Sequence, residues 1–135
     1  MAKVKPSDLE LQVLSVLWEK GPMTAREVRE VLPDGKERAY TSVLSVMQVM
    51  EKKGLLTYRR KGNAYVFRPK VTQKQALGPM LRGMVSNVFG GRVSSVMQHL
   101  LSETAPSVNE LEQIRALLDQ YEEEKSEPVK KKSRS

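Results

Sequence analysis

Two segments near the N-terminus have apolar residues at the spacing of an amphipathic helix. The first runs from Leu9 to Trp18, and the second, which is shorter, carries Val28, Val31 and Leu32. The residues from Ser7 to Glu10 and from Thr24 to Glu27 each have the capping-box spacing, in which a hydroxyl caps the helix and an acidic side chain reaches back. Because Gly21-Pro22 and Pro33-Asp34-Gly35 follow the two segments, we predict two helices that end there.

A third helix and a β-hairpin are predicted next. The helix extends roughly from Ala39 to Lys53, and Gly54 follows where a left-handed C-cap would lie. Two β-prone runs then surround a Gly62-Asn63 tip, and Pro69 ends the second run. Three helices followed by a hairpin, in about 65 residues, is the order of a winged helix-turn-helix domain, which we predict for residues 1–70.

The second half of the chain predicts three further helices. A cap signal at Thr72 opens a helix that runs to about Phe89, and Gly78-Pro79 inside it predicts a kink or a later start. Gly90-Gly91 precedes a short helix, and a capping box from Ser107 to Glu110 opens the last one. The predicted fold is therefore mainly α with a small β-hairpin, an N-terminal winged helix-turn-helix domain and a C-terminal helical region.

The C-terminal helices are too few and too short to bury their apolar stripes alone. Packing against a second copy would bury them, so we interpret residues 71–125 as a dimerisation region. Folding back onto the N-terminal domain is the alternative. The residues expected to form the dimer contact are Val85, Val88, Phe89, Val93, Val96, Met97, Leu100, Leu111, Ile114 and Leu118.

The net charge of +7 is distributed unevenly along the chain. Residues 1–70 carry 14 basic and 8 acidic side chains, a balance of +6, whereas residues 71–125 carry 5 and 7, a balance of −2. Residues 126–135, with 4 basic and 1 acidic side chains, are interpreted as a disordered basic tail that adds non-specific attraction to DNA, and a solubilising tail is the alternative. The N-terminal part is therefore the expected polyanion-binding part.

Composition narrows the function classes further. With 39% hydrophobic and 29% charged residues the chain suits a globular protein, and the absence of cysteine excludes disulfides and thiolate chemistry. No signal peptide or membrane-length apolar segment is present, so we expect a cytoplasmic protein without membrane insertion. His99 is the only histidine, and we interpret it as a surface or interface residue. We expect no enzyme activity, no metal and no cofactor.

The third helix has the features of a DNA-recognition helix. Its predicted buried stripe is Val43, Val46, Met47 and Met50. The opposite face is small and uncharged, so it can approach base edges closely, and its members are Thr41, Ser42, Leu44, Ser45, Gln48 and Val49. A buried core helix is the alternative. Flanking cations (Arg38, Lys52, Lys53) favour DNA.

The hairpin carries a run of cations that supports the same interpretation. Arg59, Arg60 and Lys61 lie at its tip, and adjacent cations need a partner such as a phosphate backbone or a minor groove. A solvated turn is the alternative; with a recognition helix beside it, we expect the hairpin to position DNA rather than to specify its sequence. The predicted DNA-contacting residues are Arg38, Tyr40, Thr41, Ser42, Ser45, Gln48, Arg59, Arg60, Lys61, Asn63 and Tyr65.

Several segments together resemble the penicillinase and methicillin-resistance repressors. Residues 9–18 resemble that family's first helix, residues 39–47 its recognition helix with serines in place of threonines, and residues 51–67 its helix end and wing. Phe89-Gly90-Gly91 and the helix after Ser107 resemble its dimerisation region. The resemblance covers about residues 7–124, and Val49 stands where the family commonly has an arginine.

The resemblance implies a homodimeric repressor that binds a palindromic operator in double-stranded DNA and blocks transcription. In antibiotic-responsive members a membrane sensor metalloprotease triggers cleavage between an Asn and a Phe of the penultimate helix. At the corresponding place this chain has His99-Leu100 instead. Two other functions are considered: a protein-interaction module that docks through the face with Leu44 and Val49, and a non-specific DNA-binding protein.

Overall fold

Hydrogen-bonded caps fix the start of the first two helices. The hydroxyl of Ser7 accepts a bond from the Glu10 N–H at 3.2 Å, and the Glu10 carboxylate accepts one from the Ser7 N–H at 3.0 Å. Thr24 and Glu27 form the same pair of bonds at 3.2 and 2.9 Å. Both predicted capping boxes are confirmed, although the second helix ends before Val31.

The computed structural model describes residues 6–126 and shows the predicted winged-helix order. Nearly all of the basic tail predicted for residues 126–135 therefore lies outside the described residues. The elements in chain order are α1 (Asp8–Lys20), β1 (Met23–Thr24), α2 (Ala25–Glu30), α3 (Tyr40–Lys52), β2 (Leu56–Lys61), β3 (Ala64–Pro69), α4 (Gln73–Asn87), α5 (Val93–Thr104) and α6 (Val108–Lys125). The chain divides after Val88 into two compact units.

The sheet has three antiparallel strands in the order β1–β3–β2, where the sequence predicted a two-stranded hairpin. The extra strand β1 pairs Met23 with Phe67 and Thr24 with Val66. It is too short to give the alternating pattern by which strands are recognised in a sequence. The predicted tip is confirmed: Lys61 pairs with Ala64 across Gly62-Asn63. Gly62 has a φ of 63°, which suits the first loop position of a type II′ turn.

The core of the first unit lies between the three N-terminal helices and the sheet. Its buried members come from all of these elements except β1 and from the segments that follow α2 and α3, and they are Val13, Leu14, Leu17, Ala25, Val28, Leu32, Val43, Met47, Met50, Leu55, Leu56 and Phe67. Two long-range residue pairs are hydrogen-bonded at its edges. The Trp18 indole Nε1 donates to the Val71 carbonyl at 3.0 Å, and Lys53 Nζ donates to both carboxylate oxygens of Glu10 at 3.2 and 2.9 Å.

The three C-terminal helices form as predicted but with two differences. Helix α4 begins at Gln73, capped by Thr72, and continues through Pro79 to Asn87, so the alternative of a later start is wrong. At α6, Ser107 accepts from the Glu110 N–H at 3.1 Å, but within the described residues the return bond of a capping box is not formed. No residue of α4, α5 or α6 is buried.

The Glu10–Lys53 pair gives the first unit a pH-dependent stability. Burial by itself would raise the pKa of Glu10, but the hydrogen bonds from Lys53 and Ser7 and the charge of Lys53 outweigh it, so the pKa lies below its ordinary value of 4.5. A carboxyl whose pKa is lowered on folding stabilises the folded state above its unfolded pKa. That contribution is lost as the pH falls through the folded pKa.

We therefore expect Glu10→Gln to lower the free energy of unfolding by about 1–2 kcal/mol at neutral pH, because it removes a partly exposed ion pair and weakens a cap. The difference from the wild type should shrink as the pH falls below 4.5, as measured by urea unfolding at several pH values. Glu19→Gln, on the exposed face of the same helix, is the control. It should change neither the free energy of unfolding nor its dependence on pH. A difference independent of pH would contradict the assignment.

Candidate nucleic-acid interface

Helix α3 turns an uncharged polar face to solvent. Three of the four residues predicted for its buried stripe are buried (Val43, Met47, Met50), and Val46 is half-buried. The exposed face consists of Thr41, Ser42, Ser45, Gln48 and Val49, whereas Leu44 is half-buried against the core. The alternative of a fully buried core helix is therefore wrong. Because Thr41, Ser45 and Gln48 are spaced four and three residues apart, they form one row along the helix.

The loop before α3 is held by a network centred on Asp34. Its carboxylate accepts two bonds from the Arg38 guanidinium, at 3.0 and 2.8 Å, and one from the Lys36 N–H at 3.0 Å. The side chain of Gln12 in α1 donates to the same carboxylate at 3.3 Å and accepts from the Asp34 N–H at 3.2 Å. The bonds from Arg38 and Lys36 hold the pKa of Asp34 well below its ordinary range.

Two further contacts connect α2 to the start of α3. Arg29 Nε donates to the Arg38 carbonyl at 2.6 Å, and the Arg26 guanidinium lies 4.5 Å from the centre of the Tyr40 ring. Both ends of the loop are thus fixed relative to α1 and α2. The beginning of the candidate recognition helix therefore has a defined position.

Two of the cations that flank α3 are paired with acidic side chains of the same chain. Arg38 was predicted to contact DNA, but its guanidinium is bonded to Asp34. Lys53 is bonded to the nearly buried Glu10. Lys52, in contrast, is exposed in the last turn of α3. The charge available beside the helix is therefore smaller than the sequence indicated.

Strand pairing separates the basic run of the hairpin into two faces. Residues directly opposite each other in an antiparallel pair share a face, and successive residues alternate. Arg60 is opposite Tyr65 and Tyr58 is opposite Phe67, so these four share the face that leads to the core. Arg59 and Lys61 lie on the other face together with Arg68, which is opposite Thr57. The three cations lie at the tip as predicted, but adjacent strand positions point to opposite sides, so Arg60 is separated from Arg59 and Lys61.

Two features of the interface were missed in the sequence. Arg68 lies diagonally across from Arg59 on the outer face, which period-two counting along β3 would have shown. The second is the distribution of acidic residues: residues 52–102 contain ten Lys and Arg side chains and no Asp or Glu. The hairpin therefore has no acidic neighbour in sequence to compensate its charge.

The remaining predicted residues lie in three different places: the hairpin turn, β3 and α5. Asn63 is exposed in the hairpin turn and Tyr65 is exposed on β3. His99 and Leu100 are exposed on α5, where the His99 ring lies 3.1 Å from the Ser95 carbonyl and meets the Phe89 ring edge-on at 5.2 Å. None of the helices in the described part of the chain is both long and apolar enough to span a membrane.

Comparison with known proteins identifies the family. The sequence profile described as "Penicillinase repressor" matches residues 6–120, which is most of the chain. The chain belongs to the penicillinase repressor family. It is similar to the penicillinase repressor of Bacillus licheniformis, with 21% identity over 121 residues that cover 90% of this chain and 94% of that protein. The resemblance inferred from the motifs is thus confirmed.

Two other relatives of this repressor-family chain match over shorter stretches. The transcriptional regulator BlaI of Mycobacterium tuberculosis strain H37Rv is 38% identical over 71 residues, which is 51% of each chain. The solution structure of monomeric Bacillus licheniformis BlaI in complex with the blaP half-operator has 25% identity and a TM-score of 0.46. It covers 55% of this chain and 92% of that one.

The Asp34 network generates a prediction about the loop before α3. Replacing Asp34 with Ala removes the acceptor of the Lys36 N–H and of the Arg38 guanidinium, so we expect faster hydrogen exchange of the Lys36 amide, as measured by NMR. Glu37→Ala, an exposed change in the same loop, is the control and should leave that amide unchanged. Equal exchange in Asp34→Ala and the wild type would show that the carboxylate does not hold the loop.

Proposed function

We propose that the protein is a sequence-specific, DNA-binding transcriptional repressor that acts as a homodimer on an inverted-repeat operator. The observation that carries this proposal is the exposed, uncharged face of α3 followed directly by a cationic hairpin. The two elements have different roles in DNA binding: the helix contacts base edges in the major groove, and the hairpin contacts the backbone.

The exposed side chains of α3 have the chemistry that base reading requires. The amide of Gln48 can donate to and accept from adenine at once, and the hydroxyls of Thr41, Ser42 and Ser45 bond to bases or phosphates. Val49 is 46% exposed and can contact the methyl group of thymine. Because none of these side chains carries a charge, the contacts depend on which base is present rather than on the general field of DNA.

The outer face of the hairpin supplies the backbone contacts in this proposal. Arg59, Lys61 and Arg68 share that face and are all exposed. Each phosphate that a cation neutralises releases counterions, so these contacts raise the affinity for every sequence and make it dependent on salt. Asn63 in the turn can donate its amide hydrogens to the same backbone.

Repression is the activity named for the family and for the relative that matches over nearly its full length. We expect the chain to have no catalytic reaction, cofactor or metal and to act in the cytoplasm, where operator DNA is. The family's cleavage position, held here by His99-Leu100, is not the Asn-Phe pair of the antibiotic-responsive members. We therefore do not propose release by a sensor protease.

The homodimer in this proposal forms through the C-terminal helices. Among the residues of the second unit that the structure describes, none is buried, although the unit carries large apolar side chains such as Val93, Leu100, Leu117 and Leu118. Val93 and Leu118 are 63% and 57% exposed. A second copy of the chain would cover them and would also give the two recognition helices that an inverted repeat requires.

The test of the proposed function is capture of sheared genomic DNA by the full chain at near-physiological salt, followed by sequencing. We expect enrichment of a few short inverted repeats beside promoters. Uniform enrichment would identify a non-specific DNA-binding protein instead, and absence of any enrichment would favour docking to a protein through the face with Leu44 and Val49.

Two variants separate the roles of the helix and the hairpin on a captured sequence. Arg59→Gln should weaken binding to every DNA and reduce the slope of log affinity against log salt by about 0.9 for one lost phosphate contact. Gln48→Ala should leave that slope unchanged but reduce the discrimination against one mismatched base pair by about 1–3 kcal/mol. Exchange of these two outcomes between the variants would reverse the assigned roles.

The dimer prediction is tested by Leu118→Glu, which places a charge in the expected apolar contact. Because burial of a carboxylate against apolar side chains is unfavourable, we expect a shift from dimer to monomer in sedimentation equilibrium. Gln113→Glu, which adds the same charge at an exposed polar position of α6, is the control. A dimer of unchanged affinity in Leu118→Glu would place the contact elsewhere.

A further inference from the structure

The inner face of the hairpin holds a continuous series of ring contacts that ends in a cation. The buried ring of Phe67 lies 5.6 Å from the ring of Tyr58, and Tyr58 lies 4.8 Å from Tyr65. The guanidinium of Arg60 lies 5.7 Å from the centre of the Tyr65 ring. This series, which we call the aromatic ladder, runs from the core to within one residue pair of the hairpin turn.

The aromatic ladder restricts the side chain of Arg60. Arginine has several rotatable bonds, and ordering it on binding has an entropic cost. A guanidinium that lies 5.7 Å from a ring centre is attracted to the ring, and this attraction reduces that freedom before any ligand is bound. Arg60 is therefore preorganised, and its position is tied through three rings to the core.

The position of Arg60 differs from that of the other hairpin cations. Arg59, Lys61 and Arg68 share the outer face, where three cations side by side suit a row of phosphates. Arg60 alone among the cations of β2 and β3 lies on the opposite face, one pair from a two-residue turn. A narrow, two-stranded tip with one fixed arginine matches the narrow minor groove of A·T-rich DNA, whose enhanced negative potential attracts arginine.

We infer that Arg60 enters the minor groove and selects A·T-rich base pairs beside the major-groove site, with Tyr65 as its positioning residue. The inference rests on the proposed function and adds to it, because it gives the hairpin a role in sequence selection as well as in backbone contact. It also predicts two separable sequence requirements in one half-operator: one read by α3 and a neighbouring one read by the hairpin.

The experiment selects DNA from a random duplex library with the full chain and compares three proteins. Arg60→Gln and Arg59→Gln each remove one positive charge from adjacent positions, so their general electrostatic effects match. We expect wild type and Arg59→Gln to enrich A·T pairs at fixed positions flanking the core sequence. Arg60→Gln should keep the core sequence and lose the flanking preference by roughly 5- to 10-fold.

A second measurement on the selected sequence identifies the groove. The flanking A·T pairs are replaced by G·C pairs or by inosine·C pairs, which present the major-groove edge of G·C without the minor-groove amino group. We expect G·C to weaken binding by roughly 5- to 10-fold and inosine·C to restore it. Tyr65→Leu should lose about 2- to 5-fold of the preference, and Tyr65→Phe, which keeps the ring, should retain it. Thermal melting of each variant verifies that it is folded.

The outcomes distinguish failure of this inference from failure of the proposed function. An equal flanking preference in Arg60→Gln and the wild type would overturn the inference and leave the repressor proposal intact. Inosine·C as unfavourable as G·C would overturn it as well, because the preference would then come from the major groove. If the wild type selects no sequence at all, the proposed function fails and the inference fails with it.

Discussion

The burial of Phe67 is the constraint on which the N-terminal unit depends. Its strand is the middle one of the sheet, so Phe67 faces Met23 of β1 on one side and Tyr58 of β2 on the other. The same ring belongs to the cluster that packs the three N-terminal helices together. Register in a sheet with one buried face is set by the residue that must point inward. The side on which each cation of the hairpin emerges follows from this one placement.

Local features of the fold were predictable from the sequence, and long-range ones were not. The caps of α1, α2 and α4 depend on residues three apart, and the Gly62-Asn63 turn depends on two. The strand β1 exists only because Phe67 and Val66, more than forty residues away, offer it a partner. The bond between Lys53 and Glu10 likewise joins the ends of two elements that nothing local relates.

The candidate interface was predictable in composition but not in geometry. The polar row on α3 followed from helical spacing because its opposite face is apolar, and the structure confirms that amphipathic arrangement. The hairpin cations were found at the tip, but their two faces were not distinguished, although alternation along a strand was sufficient to separate Arg60 from Arg59 and Lys61. Arg38 could not be assigned from its residue type alone. Its guanidinium is suited to bind a phosphate, but in the structure it is paired with the carboxylate of Asp34. A residue type indicates what a side chain can bind, and only the fold indicates whether it is available.

Trp18 gives the chain an unusual optical property. It is the only tryptophan, and its indole hydrogen-bonds to the carbonyl of Val71, which joins the end of α1 to the segment before α4. Tryptophan fluorescence therefore comes from this one joint in the N-terminal unit, whereas the far-ultraviolet circular dichroism of the helices sums over both units. The two spectroscopic signals consequently report on different parts of the molecule: the fluorescence reports on the surroundings of the single indole, and the circular dichroism reports on the helices of both units.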